Sequence, residues 1–212
     1  MEGYRRNKFY LSKLIQSNNF IFLFIQEHWM SSSEASDKFS NDFQSYDFQT
    51  TAADSFLPPE DILLKSGPTW HGTALGWHTS FSSHVSKLQV VSTRFCGIKL
   101  KNDEVEIIAY TAYLPTSGQD EDFLEEISLL SHDISKNVSN DATLIIGMYA
   151  NTSQKSTKRR QEAFNAFKHE FQLETIIPVN AATFHPNNGS SESQIDYILT
   201  NKMDVVTFFK QL

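Results

Sequence analysis

Apolar and polar positions follow two rhythms along this chain, and the switches between them mark the elements. Between Tyr4 and Asn18, Phe9, Tyr10, Leu14 and Ile15 recur at helical spacing among charged residues, with basic ones at the start. Phe20 to Ile25 is then continuously apolar and short, as a strand buried on both faces should be. Ser31 to Gln44 opens on serines able to cap a helix and sets Ala35, Phe39 and Phe43 four apart. Tyr46 to Ala52 reads as a strand. Phe56 to Trp70, with three prolines and one glycine, reads as a loop.

Four strand-like runs then follow one another: Thr73 to His78, Lys87 to Ser92, Phe95 to Leu100 and Val105 to Tyr113. Asn102-Asp103 marks the turn between the last two, and Pro115 stops the fourth. Asp120 to Lys136 is amphipathic, with Phe123, Ile127, Leu130 and Ile134 on one face and acids in its first turns, where the helix dipole favours them. A strand begins at Ala142 and runs through Leu144, Ile145 and Ile146 to Gly147, then turns polar within four residues. Ser156 to Leu173 predicts another helix, with Ala163, Phe164, Phe167 and Phe171 inward. Ala182 to Phe184, Ile195 to Leu199 and Val205 to Phe209 complete the strands. The absence of a helix between Thr73 and Tyr113 excludes regular βαβ alternation. The expected class is mixed α/β (α+β), a layered β-sandwich flanked by helices.

Composition narrows the function. The 212 residues fit one domain, and 40% hydrophobic with 13% aromatic residues suffice for a sizeable core. A net charge of −7 excludes polyanion binding by a generally basic surface, so any nucleic-acid contact must be local. Cys96 is the only cysteine and cannot form an internal disulfide. Phe20 to Ile25 is too short to span a membrane and follows a polar segment, so the expectation is an intracellular protein, in nucleus or cytoplasm, without a membrane partner. No glycine-rich phosphate loop and no zinc spacing occur. Of the seven scattered histidines, His71, His78, His84, His132 and His169 read as surface or packing residues.

Candidate chemistry lies in four polar outcrops, each ending an apolar run. They are Gln26-Glu27-His28-Trp29, Thr111-Ala112-Tyr113-Leu114-Pro115, Gly147 to Asn151, and Ser193-Gln194-Ile195-Asp196-Tyr197-Ile198. Each has a plain structural reading. Glu27 would be an exposed loop carboxylate, Tyr113 a strand-end tyrosine before a turn, and Asn151 the side chain of an Asx turn. Asp196 resists such a reading most, because aspartate is disfavoured in strands and its burial needs a partner.

In this order, and with Thr73-Ala74-Leu75-Gly76-Trp77 between the first and second, the four resemble the endonuclease/exonuclease/phosphatase superfamily. That fold is shared by DNase I-like nucleases, apurinic endonucleases and inositol phosphatases, and the resemblance spans nearly the whole chain. The Thr-Ala-Tyr-Leu-Pro wording resembles the apurinic-endonuclease branch. The Gln-Glu-His-Trp and Gly-Thr-Ala-Leu-Gly-Trp wording is similar to endonuclease domains of non-LTR retroelements. The resemblance implies a four-layered sandwich of the DNase I type and Mg²⁺-dependent hydrolysis of DNA or another phosphodiester. It implies Glu27 as the metal ligand, Tyr113 and Asn151 as phosphate-holding residues, and Asp196 as a support of substrate or site. A hard cation with several retained waters suits a carboxylate, and metal and hydrogen bonds would stabilise the charge of in-line attack by water. Lys155, Lys158, Arg159 and Arg160 follow the Asn151 loop and form a local basic cluster able to track a phosphate backbone; a solvated helix start is the alternative.

The resemblance also predicts an impaired site. The motif's aspartate, which acts on the attacking water, falls on Tyr149, and a phenol with a pKa near 10 is a poor base at neutral pH. The family's first strand with Asn-x-Asn-Gly and its closing Ser-Asp-His motif have no match between Met1 and Leu212, so the chain is expected to lack the first and last core strands as a domain truncated at both ends. A catalytically inactive derivative that keeps the fold for nucleic-acid or protein binding is the alternative; no particular protein partner is implied.

Overall fold

The computed structural model describes residues 3–56, 71–116, 118–152, 156–176, 183 and 194–203. Helix α1 (Gly3–Ser17) turns Tyr4, Leu11 and Ile15 toward the interior and leaves Phe9 85% exposed. Helix α2 (Ser32–Asp42) is capped as its serines predict: Ser31 Oγ accepts the Glu34 N–H at 3.2 Å. Both helices cover a small antiparallel sheet of β1 (Phe22–Gln26), β2 (Tyr46–Thr51) and β3 (Thr73–His78), in the order β1-β3-β2. A 3₁₀ turn at Thr79–His84 leads out of β3.

The second sheet has the order β4-β5-β6-β7-β9-β8, built from β4 (Val85–Lys87), β5 (Phe95–Lys101), β6 (Glu106–Tyr113), β7 (Thr143–Tyr149), β8 (Glu174–Thr175) and β9 (Asp196–Thr200). The Asn102 side chain fixes the β5–β6 hairpin, accepting the Glu104 and Val105 N–H groups at 3.0 and 2.8 Å. Strands β6 and β7 are parallel, joined through helix α3 (Asp120–Asn137); every other pair is antiparallel. The predicted inward face of α3, Phe123, Ile127, Leu130 and Ile134, packs with Phe164 and Phe167 of helix α4 (Lys158–Glu170) on Ile108, Leu144, Ile146 and Met148. Leu75, Trp77, Cys96, Ile98 and Ala109 fill the space between the two sheets. The layers run helices, small sheet, large sheet, helices, as the sequence predicts.

Three expectations need correction or fall outside view. Lys87 to Ser92 is not a strand: pairing stops at Lys87, and after one more hydrogen bond, Leu88 N–H to Gly97 O at 2.9 Å, Leu88 and Val90 lean onto the main core. Burial of β1 is full on one face only. Leu23 and Ile25 are buried beneath the helices, whereas Phe22 and Phe24 are half-buried toward the large sheet, because β1 is the outer strand of its sheet among the described residues. The proposed strand Val205 to Phe209, most of the loop Phe56 to Trp70, and all of Ala182 to Phe184 except Thr183 lie outside the described residues.

Candidate active site

Parallel chain direction gathers the four outcrops. Strands β1, β6 and β7 finish at the same end of the sandwich and β9 begins there. Glu27 therefore follows β1, Tyr113 ends β6, Tyr149 ends β7 and Asp196 opens β9. Register aligns the last three across the large sheet, Tyr113 beside Tyr149 and Tyr149 beside Asp196. Asp196 is thus at a strand start, not inside a strand.

Close approach of the sheets brings Glu27 to this row. A Cβ on Gly147 would collide with the Phe24 ring, so the absent side chain is what lets β1 lie on β7. Gln26 then ties the layers together, its Nε2 donating to Thr111 Oγ1 at 2.9 Å and to Gly147 O at 3.2 Å. On the other side, His28 is buried, its Nε2 against Thr51 O at 3.0 Å and its Nδ1 accepting the Met30 N–H at 3.1 Å. Burial lowers its pKa to about 4, so the ring is neutral at pH 7. Gly72, at φ 94°, passes against this ring where a Cβ would overlap it. Glu27, Trp29, His71 and Asn151 all hold positive φ, from 49° to 84°, in the loops at this one end.

The resulting cluster is acidic and aromatic. Burial raises the Glu27 pKa, Asp196 adds to the rise, and contacts from Tyr113 and Trp29 pull it back. Asp196 is raised by burial as well and drawn down by Thr183. The Tyr113 hydroxyl lies between Glu27 and Asn151; burial and the Glu27 charge push its pKa up to about 12, against Arg94 and Asn151. Asn151 Nδ2 donates to Leu114 O at 2.7 Å, and Leu114 N–H reaches Tyr149 O at 2.9 Å, so the Tyr113 and Asn151 loops brace each other. The Tyr149 ring stacks on Tyr113 with centroids 5.4 Å apart and planes at 17°. Burial, then Glu27, Asp196 and Tyr113, raise the Tyr149 pKa, moving it further from any role as a base at neutral pH.

The basic cluster is engaged elsewhere. Arg159 makes a two-pronged pair with Glu121 of α3, and Lys158 lies 3.5 Å from Glu162. Arg160 is buried over the Phe123 ring at 4.2 Å, bonds Pro115 O and sits 3.6 Å from Asp120, so it anchors α4 to the loop after Tyr113. Lys155 lies outside the described residues. Two residues of the cluster carried no clear signal in the sequence. His71, read there as surface or packing, places its ring 5.4 Å from Tyr113. Arg94, just before β5, sets its guanidinium 5.3 Å from the same ring, with Nη1 buried and unbonded among the described residues. Its position ahead of an apolar strand whose first residue pairs at the Tyr113 end of β6 was the available hint.

Solved structures of low sequence identity share this architecture. An apurinic (AP) endonuclease from Archaeoglobus fulgidus superposes with a TM-score of 0.66 at 13% identity, over 94% of this chain and 83% of that one. The fold is that of the DNase I-like superfamily. An endonuclease/exonuclease/phosphatase family protein from Bacteroides thetaiotaomicron has this fold too, with TM-score 0.63, 14% identity, and 94% and 75% of the two chains covered. So does the endonuclease domain of TRAS1, a telomere-specific non-LTR retrotransposon, with TM-score 0.57, 14% identity, and 91% and 77% covered. No family model and no curated protein matches the sequence. Among the described residues, no helix is long and apolar enough to cross a membrane.

A divalent cation fits this cluster on chemical grounds. Glu27 and Asp196 are half-buried carboxylates whose burial opposes ionisation, and Asp196 raises the Glu27 pKa further. No three His, Cys, Asp or Glu side chains converge among the described residues. Around such carboxylates, water and phosphate oxygens would complete the shell, which is the habit of Mg²⁺.

Proposed function

We propose that this end of the sandwich binds a phosphodiester together with Mg²⁺, and that it belongs to a hydrolase whose chemical step is impaired. Glu27 would hold the metal, with Asp196 supporting it. Tyr113 and Asn151 would donate to the phosphate, and Arg94 would supply the nearby positive charge. When bound, Mg²⁺ supplies Lewis-acid stabilisation of the phosphate oxygens. Lys158 and Arg159 are exposed enough to meet a flanking phosphate, although Glu121 and Glu162 compete for them. The ligand class is DNA or another phosphodiester.

The observation that carries the reading is the row Tyr113–Tyr149–Asp196 beside Glu27. It has phosphate-donor and metal-ligand chemistry, yet Tyr149 stands where a base would be needed, with its proton held more tightly than in a free phenol. Loss of a positioned acid–base group costs about 10²–10⁴-fold in rate. The test is supercoiled plasmid, with and without an abasic site, incubated in Mg²⁺ and in EDTA, alongside strand-binding titrations. Nicking should stay near background while Mg²⁺ strengthens binding. Robust metal-dependent nicking overturns the impairment; failure to bind any nucleic acid, with or without Mg²⁺, removes the nucleic-acid reading.

A further inference from the structure

We propose that the aromatic cluster is a stacking platform for an unpaired base, so that the ligand is single-stranded nucleic acid rather than duplex. The inference rests on the phosphodiester reading above. It starts from the tyrosines. Tyr4, Tyr46, Tyr110 and Tyr197 each donate their hydroxyl to a protein acceptor, at 2.7, 2.7, 2.6 and 3.1 Å. That is the usual state of a packed tyrosine. Tyr149 is half-buried and its hydroxyl makes no hydrogen bond among the described residues. One of its faces lies on Tyr113, and among the described residues no other ring contacts it.

The surroundings suit a nucleotide. Tyr113 is 4% exposed and backed by His71 at 5.4 Å and Arg94 at 5.3 Å, so the ring beneath Tyr149 is held in place from several sides. A planar ligand on Tyr149 would extend an existing stack, and Arg94 beside the Tyr113 ring would offer charge to a linked phosphate. Paired bases in a duplex have both faces covered by neighbours, whereas an unstacked base has a face to give. Stacking of this kind tolerates any base, because each has a π face. Tyr149 thereby gains a binding role at the position where it removes a catalytic one.

The experiment is a fluorescence-anisotropy titration of the full chain in Mg²⁺ with three labelled ligands of equal length. They are oligothymidylate, a single strand whose sugars carry no bases, and a duplex. Oligothymidylate should bind about ten- to a hundredfold more tightly than the base-free strand, the usual size of one stacked base, and more tightly than the duplex. Tyr149→Leu, which fills the space without a π face, should abolish that preference, and Tyr149→Phe should keep it. Equal binding of thymidylate and base-free strand, an equal or tighter duplex, or a preference that survives in Tyr149→Leu each overturns the platform while leaving phosphodiester binding intact. If none of the three strands binds, the platform and the nucleic-acid reading beneath it fall together.

Discussion

Polar groups inside the sandwich and polar groups at its site end obey different rules. Several in the interior are buried and completed. Tyr110 Oη donates to Asp133 at 2.6 Å, and Asn137 Nδ2 reaches Tyr110 Oη at 3.1 Å. His28 uses both ring nitrogens, and Asn201 bonds Leu144 N–H and Ala142 O at 2.8 and 3.1 Å. At the site end, Glu27 and Asp196 carry burial that opposes their charge, and among the described residues Arg94 Nη1 is unbonded and Tyr149 Oη has no acceptor. Folding satisfies the first group. The second is left in a state that a cation and a phosphate would relieve. Burial alone does not separate the two sets, since His28 is more buried than Glu27.

The sharpest test of the completed interior is pH. His28 has a folded-state pKa of about 4, below the ordinary value of about 6.5. The folded state therefore binds fewer protons than the unfolded chain between these values. Stability present above pH 6.5 is lost as the pH falls toward 4, by roughly 3 kcal/mol on linkage. Urea midpoints from pH 7.5 to 4 should show this slope in the wild type and its flattening in His28→Asn, whatever the variant's absolute stability. An identical slope in both proteins would mean that the ring is not held neutral.

Asp133→Ala is the next largest effect. It leaves the buried Tyr110 hydroxyl and the Asn137 amide without their shared acceptor, which costs about 1–3 kcal/mol. Asp196→Asn, made in the less completed region, should cost far less. Equal losses in urea unfolding at pH 7 would erase the contrast between the two regions.

How much of this was legible in the sequence follows from the same contrast. Helix faces such as Phe123-Ile127-Leu130-Ile134 and the run into Gly147 were readable, because burial imposes a period on adjacent residues. The gathering of Glu27, Tyr113, Asn151 and Asp196 came from the order of motifs in a family resemblance, because no local pattern reports which strand ends meet. His71 and Arg94 were missed because no local pattern reports that their side chains meet the Tyr113 ring. The end of β4 at Lys87 was also hidden: Leu88 and Val90 keep an apolar strand-like alternation while packing on the core from a loop. His28 reads the same in sequence as a site histidine, and only its two completed hydrogen bonds show that it is a brace.

Glu27→Gln carries the smallest stability change and the most diagnostic sign. Removing a charged group from a completed interior destabilises, but Glu27 is held with a raised pKa, so its ionised form is disfavoured in the fold. For a carboxyl raised in this direction, the contribution to stability is full below the unfolded value near 4.5. It is lost as the pH climbs through the folded value. The variant should therefore match the wild type at pH 4 and become the more stable of the two by pH 7, by less than about 1 kcal/mol given the partial exposure of the group. Mg²⁺ should reverse the order. A cation that binds only the folded wild type adds stability as RT ln(1 + [Mg²⁺]/Kd), about 1.4 kcal/mol at ten times Kd, and the variant, lacking the charged ligand, should not respond. Thermal melts at pH 4 and 7, with Mg²⁺ and with EDTA, read both signs without requiring turnover. A variant less stable than the wild type at pH 7 in EDTA would place Glu27 among the completed interior groups and remove the reason for assigning it to a metal.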